Sequence, residues 1–260
     1  CSSDLSESVE VIGSSADGRF PSSILAGVGT EEATGKGGNL TIDTETLFVG
    51  EGALVSASTL GKGDAGNLMI ETETLVVSEG ASVSAFTKGQ GNAGNLTVMA
   101  TESVVVSGTD PVDGSISELT TQVDSGGEGK GGNLTIKTGQ LLVEGGGQVI
   151  ASTFGRGDGG DLIVTAQDIE VVGTSAIDSF VPSTLAADVN PEATGKGGNL
   201  TVETETLLVG EGAEISAGTS GNGDAGNLTV RANESVVVSG TGPVGGSTSK
   251  LTTQVGSGGE

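Results

Sequence analysis

The first side chains to consider are acidic residues in glycine-rich loops, because carboxylate oxygens are ligands that Ca²⁺ prefers. Asp64, Asp158 and Asp224 each lie in such a loop, preceded by one glycine and followed within two positions by another. A calcium cage needs several loops side by side to complete its coordination sphere. These loops are far apart in the chain. The favoured interpretation is therefore solvated acidic residues, and weak Ca²⁺ binding at these loops is the alternative hypothesis.

A second acidic pattern is a 28-residue spacing between carboxylates. Asp43 precedes Glu71 by this interval, and Glu45 precedes Glu73 by the same interval. If neighbouring parallel strands carry them, each pair lies roughly 4.8 Å apart. Like charges at that distance repel unless ions screen or bridge them. At these pairs too a solvated acidic face is the favoured interpretation, weak Ca²⁺ binding is the alternative hypothesis, and no other cofactor is expected.

The tripeptide Asn-Leu-Thr, or a close variant, recurs through the chain and offers glycosylation acceptors. The alternative is a structural ladder, in which each side chain bonds the backbone of the next copy at a turn. We favour the ladder because the copies occupy one repeated position, here called the anchor. The anchors are Asn39, Asn67, Asn95, Asn133, Asp161, Asn199 and Asn227. Asn233, in Asn-Glu-Ser, fits the acceptor pattern but lies outside this series.

Two further motifs have simple structural explanations. Arg156-Gly157-Asp158 is a cell-adhesion tripeptide, but the loop at 62–64 reads Lys-Gly-Asp, so a turn that tolerates several residues before Gly-Asp produces it by chance. A series of threonines two positions after the anchors could form an ice-binding face, but Met69 and Ile163 interrupt it. Thr is also a good strand former, so neither motif is taken as a site.

Enzyme chemistry is not expected from this sequence. Catalysis by paired carboxylates needs two acids in one cleft with distinct environments, and the acids here are spread along the chain. The chain has no His for acid–base work and no Trp or Tyr to support a sugar ring. We predict no catalytic residue. The alternative function is a carbohydrate-binding or polysaccharide-degrading β-helix, which would require a cleft with clustered acids and bases.

The anchors also indicate the elements that must position these residues. They are spaced by 28, 28, 38, 28, 38 and 28 residues, and a fixed period in this range indicates a solenoid. Within each repeat, here called a rung, apolar and polar residues alternate as in strands with one buried face. The sequence predicts an all-β fold: a right-handed parallel β-helix with three short strands per rung and about seven rungs. Each strand would pair in parallel with its copy in the next rung.

Inward-facing columns follow from this alternation. Leu is expected inside one position after each anchor, and Ile or Val three positions after it. In the short rungs the remaining inward residues are Val55, Val83, Val149 and Ile215, with Ala57, Ala85, Ala151 and Ala217. The second strand of the rungs at Asn95 and Asn227 is ambiguous. Either Ser103 and Val105 point inward, or the strand slips by one residue and Val104 and Val106 do.

The long rungs and the chain ends complete the predicted organisation. The ten extra residues of a 38-residue rung are placed in surface loops near Thr109–Ser117 and Thr174–Ser183, since a solenoid tolerates insertions at its turns. The segment 9–16 resembles 169–176 at an offset of 160, which puts Cys1 at an anchor position and disfavours a lipidated N-terminus. Because 126–128 match 258–260, we expect residues 1–260 to be a single array from a longer protein.

The composition and net charge of the chain limit the classes of partner that it can bind. The chain has 34 acidic and 10 basic residues, a formal net charge of −24, which opposes binding to nucleic acid and to anionic membranes. No apolar stretch approaches the roughly 18 residues that a membrane-spanning helix needs. With one Cys, no internal disulfide can form. We expect a soluble, secreted protein that strand stacking stabilises.

The repeat resembles that of cyanobacterial filamentous haemagglutinin-like exoproteins, the substrates of two-partner secretion. The matching phrases are Gly-Lys-Gly-Gly-Asn-Leu-Thr-Ile at 35–42, Gly-Ala-Leu-Val-Ser-Ala-Ser-Thr at 52–59, Gly-Lys-Gly-Asp-Ala-Gly-Asn-Leu at 61–68 and Ser-Ser-Ala-Asp-Gly-Arg-Phe-Pro-Ser at 14–22. The resemblance implies a β-helical shaft on the bacterial surface, export through an outer-membrane pore, and roles in adhesion. Its expected partners are other copies of the chain, end to end or side by side, and host or matrix surface glycans.

Overall fold

A computed structural model describes residues 7–15, 20–177, 181–243 and 247–256 of the chain. Within these ranges it contains nineteen β-strands and no helix, and the strands form two sheets. The interpretations of Cys1 and of 258–260 concern residues outside these ranges.

The first sheet contains eleven strands. They are β1 (Ser8–Ile12), β3 (Leu40–Asp43), β4 (Thr46–Gly50), β6 (Leu68–Ser78), β8 (Leu96–Ser107), β10 (Leu134–Lys137), β11 (Gln140–Glu144), β13 (Leu162–Thr165), β14 (Asp168–Val172), β16 (Leu200–Gly210) and β18 (Leu228–Ser239). The second sheet contains eight three-residue strands. They are β2 (Ser23–Leu25), β5 (Leu54–Ser56), β7 (Ser82–Ser84), β9 (Glu118–Thr120), β12 (Gln148–Ile150), β15 (Thr184–Ala186), β17 (Glu214–Ser216) and β19 (Lys250–Thr252).

Strands pair in parallel with their equivalents in the neighbouring rung. Leu68 pairs with Leu96, Leu96 with Leu134 and Leu134 with Leu162 in the first sheet. The second sheet follows the same order, with each of its eight strands at one level of the stack. These pairings confirm the predicted all-β fold with parallel strands. They also give eight levels rather than about seven, because the segment before Asn39 contributes β1 and β2 to a further level.

The prediction of three short strands per rung is wrong for several rungs. In β6, β8, β16 and β18 the first two strands run together into one strand of 11 or 12 residues. Elsewhere a break separates them, as between β10 and β11. The strand β8 pairs with both β10 and β11. One series of pairings runs from β10 through β13 to β16, and the other runs from β11 through β14 to the same β16. These six strands therefore form a closed cycle of pairings.

The ambiguous second strand is resolved by a β-bulge. The register of β6 against β8 shifts between Thr72 and Thr74, so that Thr74 pairs with Ser103. The extra residue in β8 turns Val104 and Val106 inward, where both are fully buried. The same shift occurs between β16 and β18. The slipped alternative is therefore the correct one.

The core is a set of stacked aliphatic columns between the two sheets. The largest fully buried side chains are Leu and Ile, and no aromatic ring is among the buried core residues of the described chain. The inward column that was predicted at Val55, Val83, Val149 and Ile215 is longer than expected. It runs through Ile24, Val55, Val83, Leu119, Val149, Leu185, Ile215 and Leu251. In the neighbouring column of small residues, Thr121 is buried where the short rungs have Ala. Its Oγ1 donates a hydrogen bond to the carbonyl of Gly132 at 2.6 Å.

The glycine before each anchor from Asn67 onward is required by the closeness of successive rungs. A Cβ at Gly94 would lie 1.8 Å from the carbonyl oxygen of Gly66, and a Cβ at Gly132 would lie 1.8 Å from that of Gly94. Real Cβ atoms do not approach backbone oxygens this closely. Any larger residue at this position would force two rungs apart.

The prediction that all ten extra residues of a long rung form one insert after the second strand is only partly right. Between the rungs at Asn67 and Asn95 the offset between equivalent residues is 28 at the anchor, 36 at Ser82 and Glu118, and 38 at Asn92 and Lys130. Most of the insertion is a hairpin in which Thr109 pairs with Ile116. One further residue is the bulge in β8, where the offset becomes 29, and two lie after β9, between Val123 and Glu128.

Candidate functional site

The anchors form one unbroken ladder, here called the anchor ladder. The side-chain Oδ1 of each anchor accepts a hydrogen bond from the backbone N–H of the next. Its six distances are 2.9, 3.0, 2.9, 3.0, 2.8 and 3.3 Å from Asn39 to Asn227. A side-chain oxygen is thus used at each of the six steps between anchors, and Asp serves at position 161 because the required atom is an acceptor. Asn233 lies outside the ladder, beside the bulge in β18.

A second column, here called the charged ladder, contains the loop acids considered as Ca²⁺ ligands. It runs through Lys36, Asp64, Asn92, Lys130, Asp158, Lys196 and Asp224. Asp64 shows the pattern: its Oδ1 accepts the N–H of Asn92 at 3.0 Å, and its Oδ2 lies 3.2 Å from Nζ of Lys36. These hydrogen bonds lower the pKa of Asp64. The loop acids are therefore separated by Lys or Asn and do not converge on one point.

The stacked acids of the first sheet are neighbours, as the 28-residue spacing suggested. Asp43 pairs with Glu71 across β3 and β6, and the N–H of Glu73 donates to the carbonyl of Glu45 at 2.9 Å. The next residue in the first of these columns is Met99. The described residues contain no group of three or more His, Cys, Asp or Glu side chains that could hold a metal ion. Each acidic pair is thus a separate pair on the outer surface.

The Arg-Gly-Asp tripeptide lies inside the stacked loops. The side chain of Arg156 contacts Glu128 of the preceding rung at 3.5 Å, and Oδ1 of Asp158 accepts the N–H of Lys196 at 3.0 Å. A Cβ at Gly157 would lie 1.7 Å from the carbonyl oxygen of Gly129. Asp158 is thus bonded to the adjacent rung, whereas the side chain of Arg156 remains 76% exposed.

The outward side of the second sheet forms a trough that the sequence did not indicate. Its floor consists of small outward residues that are nevertheless buried, such as Ser84, Thr120 and Ser216. Residues of the strand and of the segment that follows it both line the trough, as Ser216 of β17 and Thr219 after it do. We call this feature the outer trough. Two atoms in its middle, Oγ1 of Thr120 and Oε1 of Gln122, are buried without a hydrogen-bond partner among the described residues.

Two acids of the outer trough titrate abnormally. Burial raises the pKa of Glu118, although a hydrogen bond from Ser82 at 3.0 Å opposes the rise. Burial likewise raises the pKa of Asp188. Hydrogen bonds to its Oδ1 from Oγ of Ser216 at 2.7 Å and from N–H of Gly218 at 2.6 Å oppose that rise. Glu118 lies in β9 and Asp188 follows β15, and burial is the largest cause of the pKa shift of each.

The outer trough widens into a pocket of about 270 Å³ beside Asp188. Its lining includes Glu214 and Lys250, whose carboxylate and ammonium groups lie 3.2 Å apart. Small residues such as Gly218 and Ser220 leave this part of the trough open, whereas Phe154 stands at the position equivalent to Ser220 two rungs earlier. Clustering of small outward residues in one sheet was the available sequence signal for this pocket.

Comparison of the chain with protein-family models, with curated proteins and with solved structures finds no match. No helix in the described ranges is long and apolar enough to cross a membrane.

Proposed function

We propose that the chain is part of a right-handed parallel β-helix that serves as a structural and adhesive shaft outside a bacterial cell. The observation that carries the proposal is the anchor ladder, in which all six steps between successive rungs are bonded in the same way. A stack bonded alike at every level suits a function based on length and rigidity. The right hand is inferred from the strong preference of parallel strand connections for that hand.

Three further features support a shaft. Hydrogen bonds along both ladders resist bending between rungs. The large inserts, such as the hairpin at 109–116, lie at corners and leave the strand register intact. The net charge of −24 favours solubility and disfavours collapse of one shaft onto another at low salt.

The alternative, a polysaccharide-degrading β-helix, has less support. The pocket does contain two acids and one base, but Glu214 is paired with Lys250 and Asp188 is held by two donors. A pair of catalytic carboxylates needs an acid and a base on opposite sides of the scissile bond. The described residues of the pocket offer no such opposed pair.

Immuno-electron microscopy of intact cells tests the shaft. Antibodies raised against the purified chain should label fibres outside the cell, and deletion of the gene should remove the fibres and reduce attachment to surfaces. Label confined to the cell interior, or fibres that persist after deletion, would contradict the proposal. A crystal structure of the chain would test the hand of the coil.

A further inference from the structure

The pocket in the outer trough has the charge and shape of a ligand site. It spans three successive rungs, with Asp188 in the first, Glu214, Ser216, Gly218 and Ser220 in the second, and Lys250 in the third. At about 270 Å³ it has room for roughly nine waters, given about 30 Å³ for each. This is much larger than a bare metal ion needs and fits a small organic molecule.

The carboxylate of Asp188 is only half satisfied. Both of its side-chain hydrogen bonds, from Ser216 and Gly218, go to Oδ1. The other oxygen, Oδ2, has no hydrogen-bond donor among the described residues, and the residue lines the pocket. A carboxylate held in this way is already oriented, so a ligand that binds Oδ2 need not pay for ordering it.

The charges around the pocket favour a cation. The lining carries two carboxylates, Asp188 and Glu214, and one ammonium, Lys250, so it has one net negative charge when all three are ionised. Lys250 lies close to Glu214 at 3.2 Å, which leaves Asp188 as the group without a close counter-charge. Burial above all, and the nearby Glu214, raise the pKa of Asp188, while the hydrogen bonds from Ser216 and Gly218 and the charge of Lys250 oppose the rise.

The lining also discriminates between classes of ligand. It contains no aromatic side chain to stack on the face of a sugar ring. An anion would be repelled by the net charge of the pocket and of the whole chain, −24. The remaining lining consists of hydroxyl, amide and backbone groups, together with the aliphatic stem of Lys250, which suits a short alkyl chain.

We propose that this pocket binds a small organic cation through a primary ammonium group, which bonds Oδ2 of Asp188 while its alkyl chain lies along the trough towards Lys250. The site is independent of the shaft function, since it concerns one pocket and not the stacking of rungs. A failure to bind would leave the shaft proposal untouched.

Titration with n-butylammonium chloride, followed by amide NMR shifts and calorimetry at constant ionic strength, tests the site. Saturable shifts are expected at the amides of 188–190, 216–220 and 250–256. Asp188→Asn keeps the acceptor Oδ1 and should weaken binding by about tenfold or more, because a charge-assisted hydrogen bond is lost. Glu170→Gln, which removes an exposed acid from the other sheet, should leave the affinity unchanged.

A second variant and two further probes keep the test decisive. Ser220→Phe should fill the pocket and abolish binding, and the fold should tolerate it because Phe154 occupies the equivalent position. The neutral isostere n-butanol and the sugar glucose should not bind. Equal binding of glucose would show a polyol site instead. Equal weakening in Glu170→Gln would show a general counter-ion atmosphere, and the absence of saturable shifts would overturn the proposal outright.

Discussion

Asn133 and Asp161 are 28 residues apart, and Oδ1 of Asn133 accepts a hydrogen bond of 3.0 Å from the backbone N–H of Asp161. Both residues lie at the surface of a loop corner, so the bond replaces one that water could make. Its net contribution to the free energy of unfolding is therefore modest, and its main effect is to fix the register of the two rungs.

The first prediction concerns this bond. Asn133→Ala should lower the free energy of unfolding by about 1 kcal/mol, the usual net value of a hydrogen bond. Asn233→Ala, outside the ladder, should change it by less than about 0.5 kcal/mol. Urea denaturation of both variants measures the difference. Equal effects of the two substitutions would show that the ladder contributes nothing specific.

The second prediction compares the core with an insert. Leu134 is fully buried between Leu96 and Leu162, so Leu134→Asp would bury an unpaired carboxylate and should cost several kcal/mol, about 3 or more. Deleting 110–115, the tip of a hairpin outside both sheets, should cost far less. Thermal melts should rank the two in this order, and the reverse order would contradict the rung assignment.

The third prediction is that the ionisation of Glu118 lowers the free energy of unfolding as the pH rises. Burial raises its folded-state pKa above 4.5, so ionisation disfavours the folded state. Its contribution to stability is fully present below the unfolded pKa and is lost as the pH rises through the folded pKa. Glu118→Gln should therefore be more stable than the parent protein at pH 7 and lose this advantage at pH 4. Denaturation at several pH values measures it, with Glu170→Gln as control, and an advantage that grows on acidification would contradict it.

The fourth prediction concerns tight turns with left-handed backbone. Glu79 has φ of 51° and is followed by Gly80 at 77°, whereas the equivalent turn of a later rung uses Gly145 at 60°. A residue with a Cβ is strained in this conformation. Glu79→Gly should raise stability by up to about 1 kcal/mol, and Gly145→Glu should lower it by a similar amount. Chemical denaturation of the pair decides it, since changes of the same sign would exclude backbone strain as the cause.

The sequence predicted the all-β fold with parallel strands because repetition reports on both local and long-range structure. The 28-residue offset between Leu40 and Leu68 predicts which strands pair. The alternation of apolar and polar residues predicts which side of each strand is buried. The bulge in β8 was harder to foresee, because Ser103 and Val104 fit either register until the buried neighbours are known. The charged ladder follows the same offsets, but its Lys and Asn members carry no signal that links them to the acids until the loops are stacked. The pocket at Asp188 is harder to predict, since its signal is only a cluster of small outward residues, and the space they leave depends on the neighbouring rungs.

The fifth prediction concerns Ca²⁺ at the stacked acids of the first sheet. Asp43 and Glu71 are adjacent in register, and an ion bridging them would relieve their repulsion. With two carboxylates and no third acid, affinity should be about millimolar or weaker. When the Ca²⁺ concentration equals Kd, the stabilisation is about 0.4 kcal/mol. Thermal melts with CaCl₂ against NaCl at equal ionic strength should show this gain. Glu71→Gln should abolish it while raising stability without Ca²⁺, and Glu31→Gln, in a distant loop, should preserve it. An equal Ca²⁺ response in all three proteins would mean that the ions act by general screening and not at this pair.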